Sequence, residues 1–313
     1  MSSVKLGRAS LILVVIAACT DTTGLTGTGD ELPTSDGGTK TKDSGGLPDP
    51  GDGGDPNAGK RCDVTKAFAP PELVTEFDAQ SDFVKGAILS KNEREVFFLR
   101  YDTMASEWIL RRATRASSDV AFAPATDIAV MPTPDGFLSL TAGGLKLYFW
   151  TTTNIYKTTR ASVDATFGTP STWDVPGGPA PFVVDSDDVA YFSRFEGDAT
   201  LVRRILRGRI TGTGFGSVIS YVPNIWVDGA QDQNPILNAS ETALYFSSTR
   251  AGTIGLADIW VAHRPTKADE FGAAIHVREL STDAPDTLTW ISDDECVAYL
   301  DRASHVYVAK RPL

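Results

Sequence analysis

From about residue 84 onward the chain alternates between short apolar words and polar turns, and the words recur in a fixed order. One set reads EVFFLR (95–100), KLYFWT (146–151), VAYFSR (189–194), ALYFSS (243–248) and CVAYLD (296–301). Each is a β-branched and aromatic run, too short for a helix and bounded by turn residues, so each predicts a strand. A second set follows: WILRRATR (108–115), IYKTTR (155–160), LVRRILR (201–207), IWVAHR (259–264) and VYVAKR (306–311). All five end on a basic residue, Arg115, Arg160, Arg207, Arg264 and Arg311. An aliphatic stands five positions before each, at Leu110, Ile155, Val202, Ile259 and Val306. Phe122, Phe167 and Phe271 lie seven residues after their arginines, and Phe215 lies eight after Arg207. These phenylalanines open a fourth word. A first word precedes each unit: VKGAILS, GFLSLTA, PFVVDS, NPILNA and TLTWIS.

Four short strands per unit, with second words starting at residues 95, 146, 189, 243 and 296, give spacings of 51, 43, 54 and 53 residues. That is the size of one blade of a β-propeller, and no segment carries a sustained helical period. The expectation is an all-β, five-bladed propeller of four-stranded antiparallel blades. A six-bladed ring stays open if one degenerate unit escapes detection. The last unit ends at Leu313 without its fourth word. Lys66–Phe77, KAFAPPELVTEF, resembles the fourth word AFAPATDIAV of the first unit. The N-terminal segment is therefore expected to supply the outer strand of the C-terminal blade and close the ring, which removes exposed sheet edges.

The first quarter of the chain has a different pattern. Lys5 and Arg8 precede an apolar run from Leu11 to Ala18, too short for a permanent membrane span and typical of a secretory signal. Ile16-Ala17-Ala18-Cys19 resembles a bacterial lipobox, which implies cleavage before Cys19 and lipid on its sulfur. Acyl chains bury CH₂ groups at about 0.8 kcal/mol each, so membrane attachment through Cys19 would be stable. Thr20 rather than Asp follows the cysteine, which favours the outer membrane over inner-membrane retention. Residues 20–61 are almost entirely Asp, Gly, Thr, Pro and Ser, with no apolar period. They cannot bury enough surface to offset ordering entropy and read as a tether with an r.m.s. reach of roughly 35–40 Å. The expected organisation is residues 1–18 as signal peptide, 19–61 as lipidated cysteine and tether, and 62–313 as propeller.

Composition narrows the function classes. A formal charge of −11 repels phosphate backbones, so nucleic acid is not an expected partner. The chain has 3 Cys and 3 His without ligand spacing, so no metal or cofactor is expected, and a Ser-His-Asp triad is disfavoured. Cys62 lies just before the donated strand, and Cys296 lies in the blade that strand would complete. An exported protein would meet an oxidising compartment. The two cysteines either pair, locking the ring, or remain a buried Cys296 and an exposed Cys62.

The fourth unit, NPILNASETALYFSSTRAGTIGLADIWVAHR, resembles the TolB-type, WD-like propeller repeat. In that family Pro opens the first strand, an aromatic-Ser-Ser-x-Arg ends the second, and Asp-Ile-Trp opens the third. Here these are Pro235, Phe246-Ser247-Ser248-Thr249-Arg250 and Asp258-Ile259-Trp260. The other four units keep the strand pattern and lose Ser-Ser-x-Arg. The resemblance implies a β-propeller used in envelope assemblies or as a module beside other domains.

Candidate chemistry is sparse. Ser247 and Ser248 read as hydroxyls serving backbone groups at a strand end. Asp258 reads as a cap or as a partner within its blade, with Arg250 the candidate. Trp150, Trp173 and Trp226 occupy irregular positions and could face a sugar or peptide. Asp185, Asp187, Asp228 and Asp232 are acids that a five-bladed glycosidase could use, and Asp187-Asp188 reads better as a turn. The expected function is a non-enzymatic, lipid-anchored envelope propeller that binds a protein or a glycan. A carbohydrate-active enzyme and a lectin-like sugar binder are the alternatives.

Overall fold

A computed structural model describes residues 60–77, 83–173, 182–184, 189–196, 202–211 and 214–313. Cys19, the signal sequence, nearly all of the tether, and Asp185, Asp187 and Asp188 lie outside the described residues.

The first strand, β1 (Glu72–Leu73), belongs to the last blade. Blade one is β2 (Val84–Leu89), β3 (Glu95–Asp102), β4 (Glu107–Thr114) and β5 (Thr126–Asp127). Blade two is β6 (Leu138–Leu140), β7 (Lys146–Trp150), β8 (Ile155–Thr159) and β9 (Ser171–Trp173). Blade three is β10 (Phe182–Val184), β11 (Val189–Glu196), β12 (Val202–Ile210) and β13 (Phe215–Tyr221). Blade four is β14 (Asp232–Leu237), β15 (Ala243–Ser248), β16 (Asp258–His263) and β17 (Ile275–His276). Blade five is β18 (Thr287–Ile291), β19 (Val297–Arg302) and β20 (His305–Lys310), with β1 as its fourth strand. All pairings are antiparallel. Neighbouring inner strands touch in the cycle β2, β6, β10, β14, β18 and back to β2, so the protein is a five-bladed β-propeller. The donated strand pairs as Glu72 with Val308 and Leu73 with Tyr307.

The aromatic pairs in the second words have a packing cause. Each blade is sandwiched between two others, so both faces of its second strand are buried, and adjacent side chains point into different seams. Phe98 packs between blades five and one, and Phe97 between blades one and two. Tyr148 and Phe149, Tyr191 and Phe192, and Tyr245 and Phe246 divide in the same way. Five apolar clusters fill the five seams. Each buried aromatic removes enough surface to be worth about 1.5–3 kcal/mol.

The terminal arginine of the third word has a comparable role. Arg115, Arg160, Arg264 and Arg311 each donate Nε–H to a carbonyl in the tight turn between first and second strands of their own blade. The acceptors are Glu93, Gly144, Glu241 and Glu295, at 2.6, 2.7, 2.6 and 3.0 Å. These four acceptors have positive φ, between 56 and 69°. For the three glutamates that backbone costs energy which the guanidinium bond helps to offset. Each guanidinium also lies over a ring, Arg115 on Phe122, Arg160 on Phe167 and Arg264 on Phe271, at 4.3–4.7 Å. In blade five the ring is Phe68, 3.9 Å from Arg311, contributed by the N-terminal segment. Seven residues is thus the loop that returns a phenylalanine beneath its own arginine. With eight, Phe215 packs instead on Phe192 and Trp173, at 4.3 and 5.0 Å.

Cys62 and Cys296 form a disulfide, with Cα atoms 5.6 Å apart. The donated strand does not separate them. The chain crosses beneath the end of β20 before β1 begins, held by the Asp63 N–H on the Pro312 carbonyl and the Ala69 N–H on the Lys310 carbonyl. Arg61 adds ion pairs to Glu93 of blade one and Asp294 of blade five, both at 2.7 Å.

Candidate functional site

Antiparallel blades segregate their connections. The turns joining first to second and third to fourth strands lie on one side, here the turn face. The loops joining second to third strands, and each blade to the next, lie on the opposite, loop face. The arginine cradles and the disulfide occupy the turn face. The shaft between them holds a cavity of about 70 Å³, lined from every blade by side chains such as Ile88, Leu138, Val184, Ile236 and Ile291, with Lys91, Asn238, Glu241 and Asp293 toward its turn-face end. A second set of polar groups lies at the loop face, where the inner strands begin.

Over blade four the TolB-like residues form a closed lock. Ser248 Oγ–H donates to Asp232 Oδ1 (2.6 Å) and accepts Arg250 Nε–H (2.9 Å). Arg250 Nη2 reaches Asp232 Oδ1 and the Ile225 carbonyl, both at 2.8 Å, with its guanidinium over the Phe246 and Trp260 rings at 4.8 and 5.1 Å. Ser247 Oγ–H donates to the Asp286 carbonyl (3.0 Å) of the next blade. The expected pairing of Asp258 with Arg250 is not formed. Asp258 faces Ser248 across the β15–β16 ladder, while Arg250 turns back over Asp232, which faces Ser248 on the other side. Asp258 instead accepts the Ile254 and Gly255 N–H groups (2.5 and 3.3 Å) and lies 2.9 Å from His276 Nε2. The His276 ring stacks on Trp260. Ile259 is fully buried in the seam with blade five. Pro235 follows Asn234, whose φ is 55°, at a β-bulge. Its missing N–H is tolerated there because an inner strand is an edge strand.

Blade five repeats this device with different residues. Asp286 Oδ1 accepts Arg302 Nε–H (2.8 Å), and its Oδ2 accepts the Thr282 N–H and hydroxyl (2.5 and 2.8 Å). Burial pushes the Asp232 carboxyl above the usual carboxylate range despite Ser248 and Arg250.

The rim over blades five, one and two differs. Both Asp301 carboxylate oxygens accept the single Gly86 N–H, at 3.0 and 2.8 Å. Burial pushes the Asp301 carboxyl up to about 7, against the opposing pull of Gly86 and Lys85. Lys85 Nζ donates to the Asp135 carbonyl (2.7 Å) and sits 3.9 Å above Trp108. Its ammonium is held below the usual lysine range by burial. Gly86 sits at a β-bulge with φ +70°, and the space a Cβ would fill is empty. An aromatic run continues outward from Trp108 to Tyr101 (5.2 Å), Phe83 (6.5 Å) and His305 (6.3 Å).

The three tryptophans singled out in the sequence divide. Trp173 is buried in the seam between blades two and three, against Tyr148 and Phe215, which corrects its expected ligand-facing role. It lies on a fourth strand whose inward face is covered by the next blade. Trp226 is 46% exposed on the loop before blade four, beneath the Arg204 guanidinium at 4.3 Å. Trp150 lies at the loop-face end of β7, packed on Gly136 and stacked with Phe137 at 5.5 Å. Its buried Nε1–H has no hydrogen-bond partner among the described residues. Asp228 is exposed on the same loop as Trp226. Sequence reasoning missed Lys85, Trp108 and Asp301. The available signal was Gly86 inside the strand word VKGAIL, because an interior strand glycine marks a bulge or a close approach.

Among the described residues no group of three or more His, Cys, Asp or Glu side chains could hold a metal ion, and no helix is long and apolar enough to cross a membrane. No protein-family model and no curated protein matches the chain. Solved structures of similar fold include a protein of Agrobacterium tumefaciens provisionally assigned as TolB. It is 11% identical, with 71% of this chain and 70% of that chain covered and a TM-score of 0.46. A gluconolactonase of Xanthomonas campestris is 10% identical, covering 79% and 96%, with a TM-score of 0.43. A thermostable family-43 glycoside hydrolase is 11% identical, covering 72% and 88%, with a TM-score of 0.47.

Proposed function

We propose that this propeller is a non-enzymatic binding module, held at the cell envelope by lipid on Cys19, that presents its loop face to an envelope protein. The observation carrying this reading is the exposed apolar surface over blades three and four. Phe195, Trp226, Val227, Ile254 and Leu256 are 43–70% exposed there, all near or within loop-face connections. Exposed apolar groups gathered on one face are a signature of an interaction surface. Cys62 is fixed by its disulfide to the turn face, on the side opposite these loops. Binding then works by rigid display, because the seams and cradles fix the loops and little loop entropy is lost on association.

A hydrolytic role has less support. A glycosidase needs one carboxyl as acid and a second as base or nucleophile. Asp232 and Asp286 at the channel mouth are engaged by Arg250 and Arg302. The test is in situ cross-linking of the tethered protein in native envelopes, followed by mass spectrometry. The expected result is a dominant protein partner linked through the loops of blades three and four. Capture of nothing above background, or linkage through the turn face, overturns this reading.

A further inference from the structure

The apolar loops over blades three and four border a basic strand end. β12 holds Arg203, Arg204, Arg207 and Arg209 and no acid, in a chain whose formal charge is −11. The first two stand at its loop-face end, each over an exposed ring. The Arg203 guanidinium is 4.2 Å from the ring of Phe195, its partner across the β11–β12 ladder. The Arg204 guanidinium lies over Trp226 (4.3 Å) and Tyr221 (5.5 Å). Phe195, Tyr221 and Trp226 are 46–47% exposed. A circuit of contacts places these groups on one continuous surface. Arg203 Nη1–H donates to Gln233 Oε1 (3.2 Å). Asp232, next to Gln233, holds Arg250, and Arg250 holds the Ile225 carbonyl. Trp226 follows Ile225 and returns to Arg204. The loop bearing Ile254 is tied to the same arginine by the Thr253 N–H on the Arg250 carbonyl (3.2 Å).

Arg203 lacks what other partly or fully buried arginines have. Arg111, Arg112, Arg160, Arg250 and Arg302 each meet a carboxylate. Among the described residues none meets Arg203, whose acceptor is a neutral amide. Burial alone holds its guanidinium below the usual arginine range. A guanidinium over a ring keeps its edge N–H groups available for a carboxylate. We propose that this surface docks an acidic segment of the envelope partner. Asp or Glu side chains meet Arg203 and Arg204, and an apolar side chain beside them covers Trp226. Arginine and tryptophan at the centre of an apolar surface are the residues that carry most binding energy in protein interfaces. Nucleic acid or an anionic bilayer spreads phosphates over a wide area, and the net charge of −11 opposes both at range. A short acidic segment confines its charge to the patch. The inference rests on the reading of this face as a display surface and supplies the chemistry of its partner.

The test selects peptides from a random phage-displayed library on the full chain in detergent, then measures the enriched sequences as synthetic peptides by calorimetry. The expected peptides combine Asp or Glu with aromatic or aliphatic residues. Raising NaCl from about 0.05 to about 0.5 M should weaken them at least about fivefold, because screening shortens the reach of the charges. Arg203→Gln with Arg204→Gln should weaken them about tenfold or more. Arg203→Lys with Arg204→Lys should recover only part of that loss, because an ammonium lacks the planar fork. Arg94→Gln, exposed on the turn face, should leave binding unchanged. Unchanged thermal melting of each variant excludes a folding defect, and the salt titration needs no variant at all. Enrichment of peptides without acids, or binding indifferent to the Arg203 and Arg204 variants, overturns the acidic segment. If envelope cross-linking still captures a protein through these loops in that case, the display function stands with a neutral partner. If that capture fails as well, the display function falls with it. Cross-links in the purified chain from this surface to residues 20–61, or to a second copy, would put the chain's own acids there and overturn the partner assignment.

Discussion

The two faces of the propeller are built by opposite rules. On the turn face the same device recurs in four blades: an αL turn carbonyl, an arginine Nε–H and a phenylalanine ring. On the loop face no device recurs unchanged. Position by position, the residue reaching toward the next blade is Ser247 in blade four and Asp301 in blade five. The acid before the inner strand is locked by Arg250 in one blade and by Arg302 in the next. Regularity marks what every blade needs in order to close. Irregularity marks where the repeats are free to differ, and that is where binding chemistry can sit.

The largest effects should come from breaking the regular face. Replacing Cys62 and Cys296 by serine removes a crosslink spanning 234 residues. On chain-entropy reasoning this costs up to about 5 kcal/mol. The urea midpoint should fall steeply, and the Val74 N–H, bonded to the Val306 carbonyl, should exchange faster with deuterium. A midpoint within error of the parent would show that the donated strand and the Arg61 ion pairs close the ring unaided.

Next in size is the cradle. Arg264→Ala leaves the Glu241 carbonyl without its guanidinium donor, beside the uncovered Phe271 ring. A cost of about 2–4 kcal/mol is expected. Arg264→Lys should recover less than half, since an ammonium cannot both stack flat and keep the Nε geometry. Equal melting temperatures for the Lys variant and the parent would reduce the cradle to a simple charge contact.

How much of this was legible in the sequence follows the same division. The strand words, the blade count, the Arg-to-Phe spacing and the donated KAFAP word all come from a pattern that must repeat, because each blade buries both faces of its second strand. That Asp258 serves as a cap and partner within its own blade came through, but the particular partners of Asp258 and Arg250 did not. They depend on which way a side chain turns at a strand end, and two acids, Asp232 and Asp258, flank Ser248 on opposite strands. Trp173 was misjudged because its exposure is set by the next blade, not by its own word. The Asp301–Gly86 contact and Lys85 escaped because they lie in two different units, with no shared spacing to betray them.

A smaller effect is expected at Asp301, and it should depend on pH. The folded carboxyl sits near 7, above its ordinary 3.8, so between these values the folded state binds more protons than the unfolded state. Stability is therefore lost as pH rises from about 4 to about 7 and is constant beyond. Asp301→Asn keeps an acceptor for the Gly86 N–H and abolishes the titration. It should match the parent near pH 4 and exceed it by at least about 1 kcal/mol at pH 8. Thermal melting across that range decides the matter. A gap that widens toward acid pH would mean that the carboxylate is ionised and favourably paired in the folded state.

The smallest stability effect, and the sharpest contrast with Arg264, should come from the exposed loop of blade four. Ile254 and Leu256 are 52% and 70% exposed, and the loop beneath them is held by Asp258 through backbone N–H groups that substitution does not disturb. Ile254→Ser with Leu256→Ser should change stability by less than about 0.5 kcal/mol, because neither side chain leaves water on folding to any large degree. Cross-linking to the envelope partner should nevertheless fall sharply, since these are the groups a partner would desolvate. A loss of several kcal/mol would place the loop in the architecture with the turn face. Unchanged cross-linking would move the partner surface off blades three and four.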